Sequence, residues 1–125
     1  MKKILLVEDE PLIQKTLKML LQRRGHEVMA LSSGIKAIAQ IHDENFDLII
    51  CDLMLQDITG FDIIEESKAK FSPEDISAKF RIITAYSSPQ IIEKAKLYQC
   101  AIYSKPFTDV NLVIDNILRE NNDAD

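Results

Sequence analysis

Three stretches far apart in the chain carry charged side chains directly after a short apolar run: Val7-Glu8-Asp9-Glu10, Ile50-Cys51-Asp52 and Ser104-Lys105-Pro106-Phe107. If each run is a buried strand of one open parallel sheet, the strand ends line up along a single edge, and ligands bind in the crevice outside that edge. Glu8, Asp9, Asp52 and Lys105 then meet in space. Carboxylates that close repel one another and raise each other's pKa, so the cluster calls for compensation by a hard divalent cation. Mg2+ suits it: the ion takes oxygen ligands, keeps several waters and uses one or two protein carboxylates plus a phosphate. The expected ligands are Asp9, Asp52 and the backbone carbonyl of Met54, with Glu8 reaching the ion directly or through water. Lys105 is placed to hold the phosphate as a point charge. Asp52 precedes a turn-prone stretch, Gln56-Asp57-Ile58-Thr59-Gly60, and an exposed carboxylate there can act as a nucleophile toward phosphorus. Thr84, at the end of another apolar run, offers a hydroxyl to a phosphoryl oxygen. Such a transfer is catalysed mostly by positioning and by neutralising charge on the equatorial oxygens.

The elements that must position these residues follow from the hydrophobic pattern. Five apolar runs alternate with five amphipathic segments, the pattern of a βαβ series with a parallel sheet covered on both faces. Strands are expected over residues 3–8, 27–31, 47–52, 80–84 and 101–104. Helices are expected over 11–24, 34–43, 60–71, 89–98 and 109–120. The first has Pro11 in its opening turn, a stripe of Ile13, Leu17, Leu20 and Leu21, and Gly25 as a left-handed stop. Residues 72–79 form a longer polar connection, read as either an extra helical turn or a loop.

Composition bounds the rest. A chain of 125 residues fits one domain, and 46% hydrophobic with 28% charged residues is ordinary for a globular fold. The net charge of -5 opposes nucleic acid as a direct partner, because affinity for DNA rests on Lys and Arg neutralising phosphates. Cys51 and Cys100 form no CxxC pair and have no histidine at metal-ligand spacing, so they are expected to be reduced core thiols. His26 and His42 are expected at the surface. No apolar stretch is long enough for a membrane span, the N-terminus breaks into acid too soon for a signal peptide, and a cytoplasmic protein is expected.

Taken together, these residues resemble the response-regulator receiver domain of two-component signalling. The resemblance runs from Ile4 to Leu118 and is carried by Glu8-Asp9, Asp52 with Gly60 eight residues on, Thr84-Ala85 and Lys105-Pro106-Phe107. It implies a receiver domain over 1–120 with an acidic tail over 121–125, a flavodoxin-like sheet of order 2-1-3-4-5 with five helices, and Mg2+ dependence. It also implies phosphoryl transfer onto Asp52 from a sensor histidine kinase or histidine phosphotransfer protein, a cis Lys105–Pro106 bond, and a phosphorylation-dependent change of surface read by a downstream effector protein. Departures from the family pattern are instructive. Gln56 stands where the family usually has proline, so the loop after the third strand is expected to be less rigid. Met54 and Tyr86 occupy the positions that influence phosphoryl lifetime. Ile102 replaces the switch aromatic that partners Thr84, and Tyr103, one place later, points to the opposite face of an ungapped strand.

Two other function classes share parts of this pattern. A receiver-like interaction module with a vestigial site is disfavoured because Glu8, Asp9, Asp52, Thr84 and Lys105 are all intact. A Mg2+-dependent hydrolase using an aspartyl phosphate would need a second carboxylate two residues beyond the nucleophile as acid and base, and Met54 stands there.

Overall fold

The computed structural model describes residues 1–119. The expected last residue of the final helix, Glu120, and the acidic tail over 121–125 lie outside the described residues. Five parallel strands, β1 (Lys3–Val7), β2 (Glu27–Leu31), β3 (Leu48–Asp52), β4 (Phe80–Thr84) and β5 (Ala101–Ser104), form one sheet of order β2-β1-β3-β4-β5. The crossovers are α1 (Pro11–Arg23), α2 (Gly34–Asp43), α3 (Gly60–Ser67), α4 (Pro73–Lys79) and α5 (Pro89–Tyr98), and α6 (Val110–Arg119) follows β5.

Alternation along the strands decides which helices cover which face. Leu5, Val7, Ile49, Cys51, Phe80 and Ile82 point into a core closed by Ala37 and Ile41 of α2, Phe61, Ile63 and Ile64 of α3, Ile76 of α4 and Ala95 of α5. Their neighbours Ile4, Leu6, Leu48, Ile50 and Ile83 point the other way, against Leu17 and Leu21 of α1 and Ile114 and Ile117 of α6. β3, central in the sheet, is buried at every residue, which is why its sequence is a continuous apolar run that stops only at Asp52.

The chain has six helices among its described residues, where the sequence pattern suggested five. The expected third helix over 60–71 ends at Ser67. Beyond it the backbone tightens into three-residue turns, with the N–H groups of Lys68, Ala69 and Lys70 donating to Glu65, Glu66 and Ser67. The polar connection over 72–79 is then a helix of its own. Ser72 and Asp75 make a reciprocal capping box, Pro73 occupies the first turn and Ile76 is buried. Two of the expected strands are one residue shorter, β1 stopping at Val7 and β3 starting at Leu48, so Glu8 begins the loop rather than ending the strand.

Candidate functional site

The parallel register brings the ends of β1, β3, β4 and β5 together: Val7 lies beside Cys51, Asp52 beside Ile83, and Thr84 beside Ser104. Asp52 is the last residue of β3 and is 3% exposed. Its Oδ1 accepts the Met54 backbone N–H at 3.1 Å, and its Oδ2 lies 3.1 Å from Lys105 Nζ. The Lys105 ammonium also meets Glu8 Oε1 at 3.2 Å and Glu10 Oε1 at 2.7 Å. The Lys105–Pro106 peptide is cis, as the resemblance implies.

Glu8 is fully buried. Its other carboxylate oxygen accepts the Glu10 N–H at 2.9 Å, and its backbone carbonyl accepts from Gln14 Nε2 at 2.8 Å. Burial pushes the Glu8 carboxyl up to about 7; the nearby charge of Asp52 adds to the rise, while the Glu10 N–H and Lys105 oppose it. Burial alone would lower the Lys105 pKa, but hydrogen bonds to Glu10 and Asp52 and the charges of Asp52 and Glu8 outweigh it and hold the amine above its ordinary value. The ammonium is therefore fixed as a cation.

Carboxylate oxygens of Glu8, Glu10 and Asp52 lie within 4.8 Å of one another, and this trio is the one cluster of metal-ligating side chains among the described residues. Asp9, the expected direct ligand, is partly buried in the same loop but is not part of the trio. Glu10 joins the trio although the sequence pattern gave it no role. The signal was present in its position: as the N-cap residue before Pro11 it stands outside the helix, and its side chain makes no cap bond, so it is free to turn back toward the strand ends. Three carboxylates facing one ammonium leave an excess of negative charge, and an all-oxygen donor set of this kind fits a hard divalent cation.

Thr84 is fully buried. Its hydroxyl accepts the Tyr86 N–H at 2.9 Å and donates to the Tyr86 carbonyl at 3.0 Å, so its partners are in the loop after β4 rather than at Asp52. Met54 and Tyr86, 48% and 62% exposed, stand in the loops on either side of Asp52. Ile102 packs into the core under α2 to α5 and Tyr103 into the core under α1 and α6, so the two face opposite sides of the sheet as strand alternation requires.

The loop after β3 is held by Asp57. Its carboxylate accepts from the Gly34 and Ile35 N–H groups, both at 3.0 Å, from Ser33 Oγ at 2.8 Å, and from the Ile58 N–H at 2.9 Å. Hydrogen bonding, first of all from the Ile35 N–H, holds the Asp57 carboxyl well below the usual carboxylate range. Anchoring absent from Gln56 is thus present one residue on.

The response regulator receiver domain family matches residues 4–115. The chain belongs to that family. Among solved structures it is similar to the non-phosphorylated HemR receiver domain from Leptospira biflexa, with 27% identity, a TM-score of 0.84, and coverage of 95% of this chain and 93% of that one. It is also similar to response regulator protein TrrA from Thermotoga maritima in complex with Mg2+-BeF, with 27% identity, a TM-score of 0.75, and coverage of 95% and 98%. Among curated relatives, the alkaline phosphatase synthesis transcriptional regulatory protein PhoP of Bacillus subtilis is 29% identical over 123 residues, which are 94% of this chain and 49% of PhoP. The chain thus spans about half the length of that relative.

Proposed function

We propose that this receiver accepts a phosphoryl group from a phosphohistidine donor onto Asp52 and signals through the resulting change of surface. The observation that carries this reading is the 3.1 Å contact between Asp52 Oδ2 and a buried lysine ammonium at a strand-end acidic cluster. A carboxylate oxygen of Asp52 attacks phosphorus. The new O–P bond forms as the P–N bond to the donor imidazole breaks, and the bonding electron pair stays on the imidazole nitrogen, which then takes up a proton. The Met54 N–H holds Asp52 in the orientation for attack, and Lys105 neutralises a phosphoryl oxygen. Mg2+, held by Asp52 and its neighbouring carboxylates with the Met54 carbonyl, would supply further neutralisation of the phosphoryl oxygens when bound. Thr84 reaches a phosphoryl oxygen only after its hydroxyl leaves Tyr86.

An apolar groove beside the lysine, lined by Leu12, Ile13, Leu17, Pro106, Phe107 and Val110 and holding about 230 Å3, supports docking of a protein donor next to the acceptor. Leu12 on its rim is 76% exposed. No helix among the described residues is long and apolar enough to cross a membrane, which is compatible with a cytoplasmic kinase or phosphotransfer partner. The net charge of -5 supports output through a protein effector rather than direct contact with nucleic acid. PhoP, named as a transcriptional regulatory protein, is about twice as long as this chain. The domain is a phosphoacceptor that catalyses its own modification rather than an enzyme with turnover on a separate substrate.

Incubation with Mg2+ and acetyl phosphate tests the reading by mass spectrometry. The parent is expected to gain one base- and hydroxylamine-labile phosphoryl group, and Asp52→Asn is expected to gain none. Full incorporation by Asp52→Asn would overturn the assignment.

A further inference from the structure

Glu10 is the nearest anion to Lys105. A lysine ammonium has three N–H donors, and here they face three carboxylates: Glu10 at 2.7 Å, Asp52 at 3.1 Å and Glu8 at 3.2 Å. The three partners differ in exposure. The Glu8 side chain is 0% and that of Asp52 5% exposed, whereas that of Glu10 is 58% exposed. Glu10 also occupies the N-cap of α1 without capping it, and its backbone N–H is fixed on Glu8 at 2.9 Å, which steers the side chain over the lysine.

We propose that Glu10 is a displaceable latch: it holds Lys105 while Asp52 is unmodified and yields the ammonium to the phosphoryl group when that group arrives. This deepens the receiver reading and rests on it. Lys105 has no fourth donor, so a phosphoryl oxygen can be bound only if one carboxylate lets go. Asp52 carries the phosphoryl group and stays. Glu8 has no access to water, and withdrawing its partner would strand a buried acid. Glu10 is rehydrated as soon as it swings out, so release costs least there. Until it does, its charge also repels an incoming anionic donor and occupies the amine that would receive it. Glu10 is thus a positioning residue that acts through Lys105 and makes the unmodified state harder to leave.

A different role for Glu10, as a direct Mg2+ ligand, predicts effects of the opposite sign, which makes the proposal testable. With acetyl phosphate and Mg2+, the acetyl-oxygen–phosphorus bond breaks, acetate leaves with the electron pair, and Asp52 gains the phosphoryl group. At saturating Mg2+, Glu10→Gln is expected to accelerate this about two- to fivefold, the size of one exposed ion pair. A slower or an unchanged rate at saturating Mg2+ would overturn the latch. A second measurement reads the lysine itself: the side-chain 15N resonance of Lys105, assigned by its loss in Lys105→Arg. Parent and Glu10→Gln are expected to differ in the free protein and to converge once Mg2+ and beryllofluoride are added, because Glu10 has then left. An equal difference in both states, or none in the free protein, would overturn it. If the parent itself takes up no phosphate, the receiver reading fails, while the lysine resonances of the free proteins still decide whether Glu10 holds Lys105.

Discussion

The two loops that flank Asp52 are held in contrasting ways. The loop after β3, residues 53–59, is anchored at several points. Asp57 bonds to the start of α2, Met54 and Thr59 form a bridge, the Gly60 N–H donates to the Leu53 carbonyl at 2.8 Å, and Ile58 fills the space beside Gly34. The loop after β4 is sparsely held. Ala85, Tyr86 and Ser87 are exposed, and the main tie is the Thr84 hydroxyl on the Tyr86 backbone, with Ser87 and Ser104 in contact at 3.3 Å. The difference teaches where a response can arise. Under the proposed phosphoryl transfer, the Asp52 side is preset and has little to rearrange, whereas on the Thr84 side one hydroxyl would exchange its partners and the loop tied to it would follow.

The comparison can be broken most forcefully at Gly60. A Cβ there would sit 3.0 Å from the Asp52 carbonyl oxygen and 3.1 Å from Leu53 Cα, backbone atoms that cannot move without shifting the acceptor. Gly60→Ala is expected to cost about 1 to 3 kcal/mol in urea denaturation and to slow phosphorylation as well. An unchanged midpoint would show that the anchored loop has slack.

Asp57→Ala should have a smaller effect, about 1 to 2 kcal/mol at neutral pH, because it removes the carboxylate partner of the Gly34 and Ile35 N–H groups at the start of α2 and the tie on the loop together. The sign of its pH dependence follows from a carboxyl held below its unfolded value. Asp57's contribution is complete above the unfolded pKa of about 3.9 and fades as pH falls below it, toward the folded value. The stability gap between parent and Asp57→Ala should therefore close in acid. A gap of the same size at pH 3 and pH 7 would mean that the carboxylate charge is not what holds the loop.

The smallest effect on stability is expected from Met54→Asn with Tyr86→Glu, within about 0.5 kcal/mol because both side chains are exposed. The double variant should nevertheless lose phosphate faster. Bulky neighbours without a carboxylate or amide neither admit nor orient the attacking water, and the replacements do both. Equal lifetimes for parent and variant would show that these side chains do not control hydrolysis.

Much of this was legible in the residue order. Unbroken apolar runs in β1 and β3 placed the strands, and acidic or basic residues directly after apolar runs marked the candidate edge. The opposite facing of Ile102 and Tyr103 follows from strand period alone. The additional helix, α4, was half legible: the signature Ser72-Pro73-Glu74-Asp75 is a capping box with proline in the first turn, but the apolar stripe behind it is a single buried residue, Ile76, too little for a periodicity argument. Missing proline at position 56 says nothing of the tie supplied by Asp57, which reaches across to the start of α2.

Local order along the chain determined which residues could be strands, caps and nucleophile, since those properties depend on side-chain type and on spacings of two to four residues. Only the tertiary structure decided which charges are partners. Lys105 and Glu10 are separated by 95 residues, Lys105 and Asp52 by 53, and the sheet order sets those distances. Burial then sorted three chemically similar carboxylates, leaving Glu8 sealed in, Asp52 at the base of the cleft and Glu10 open to water. Desolvation depends on everything packed around a group, which no short window of sequence contains.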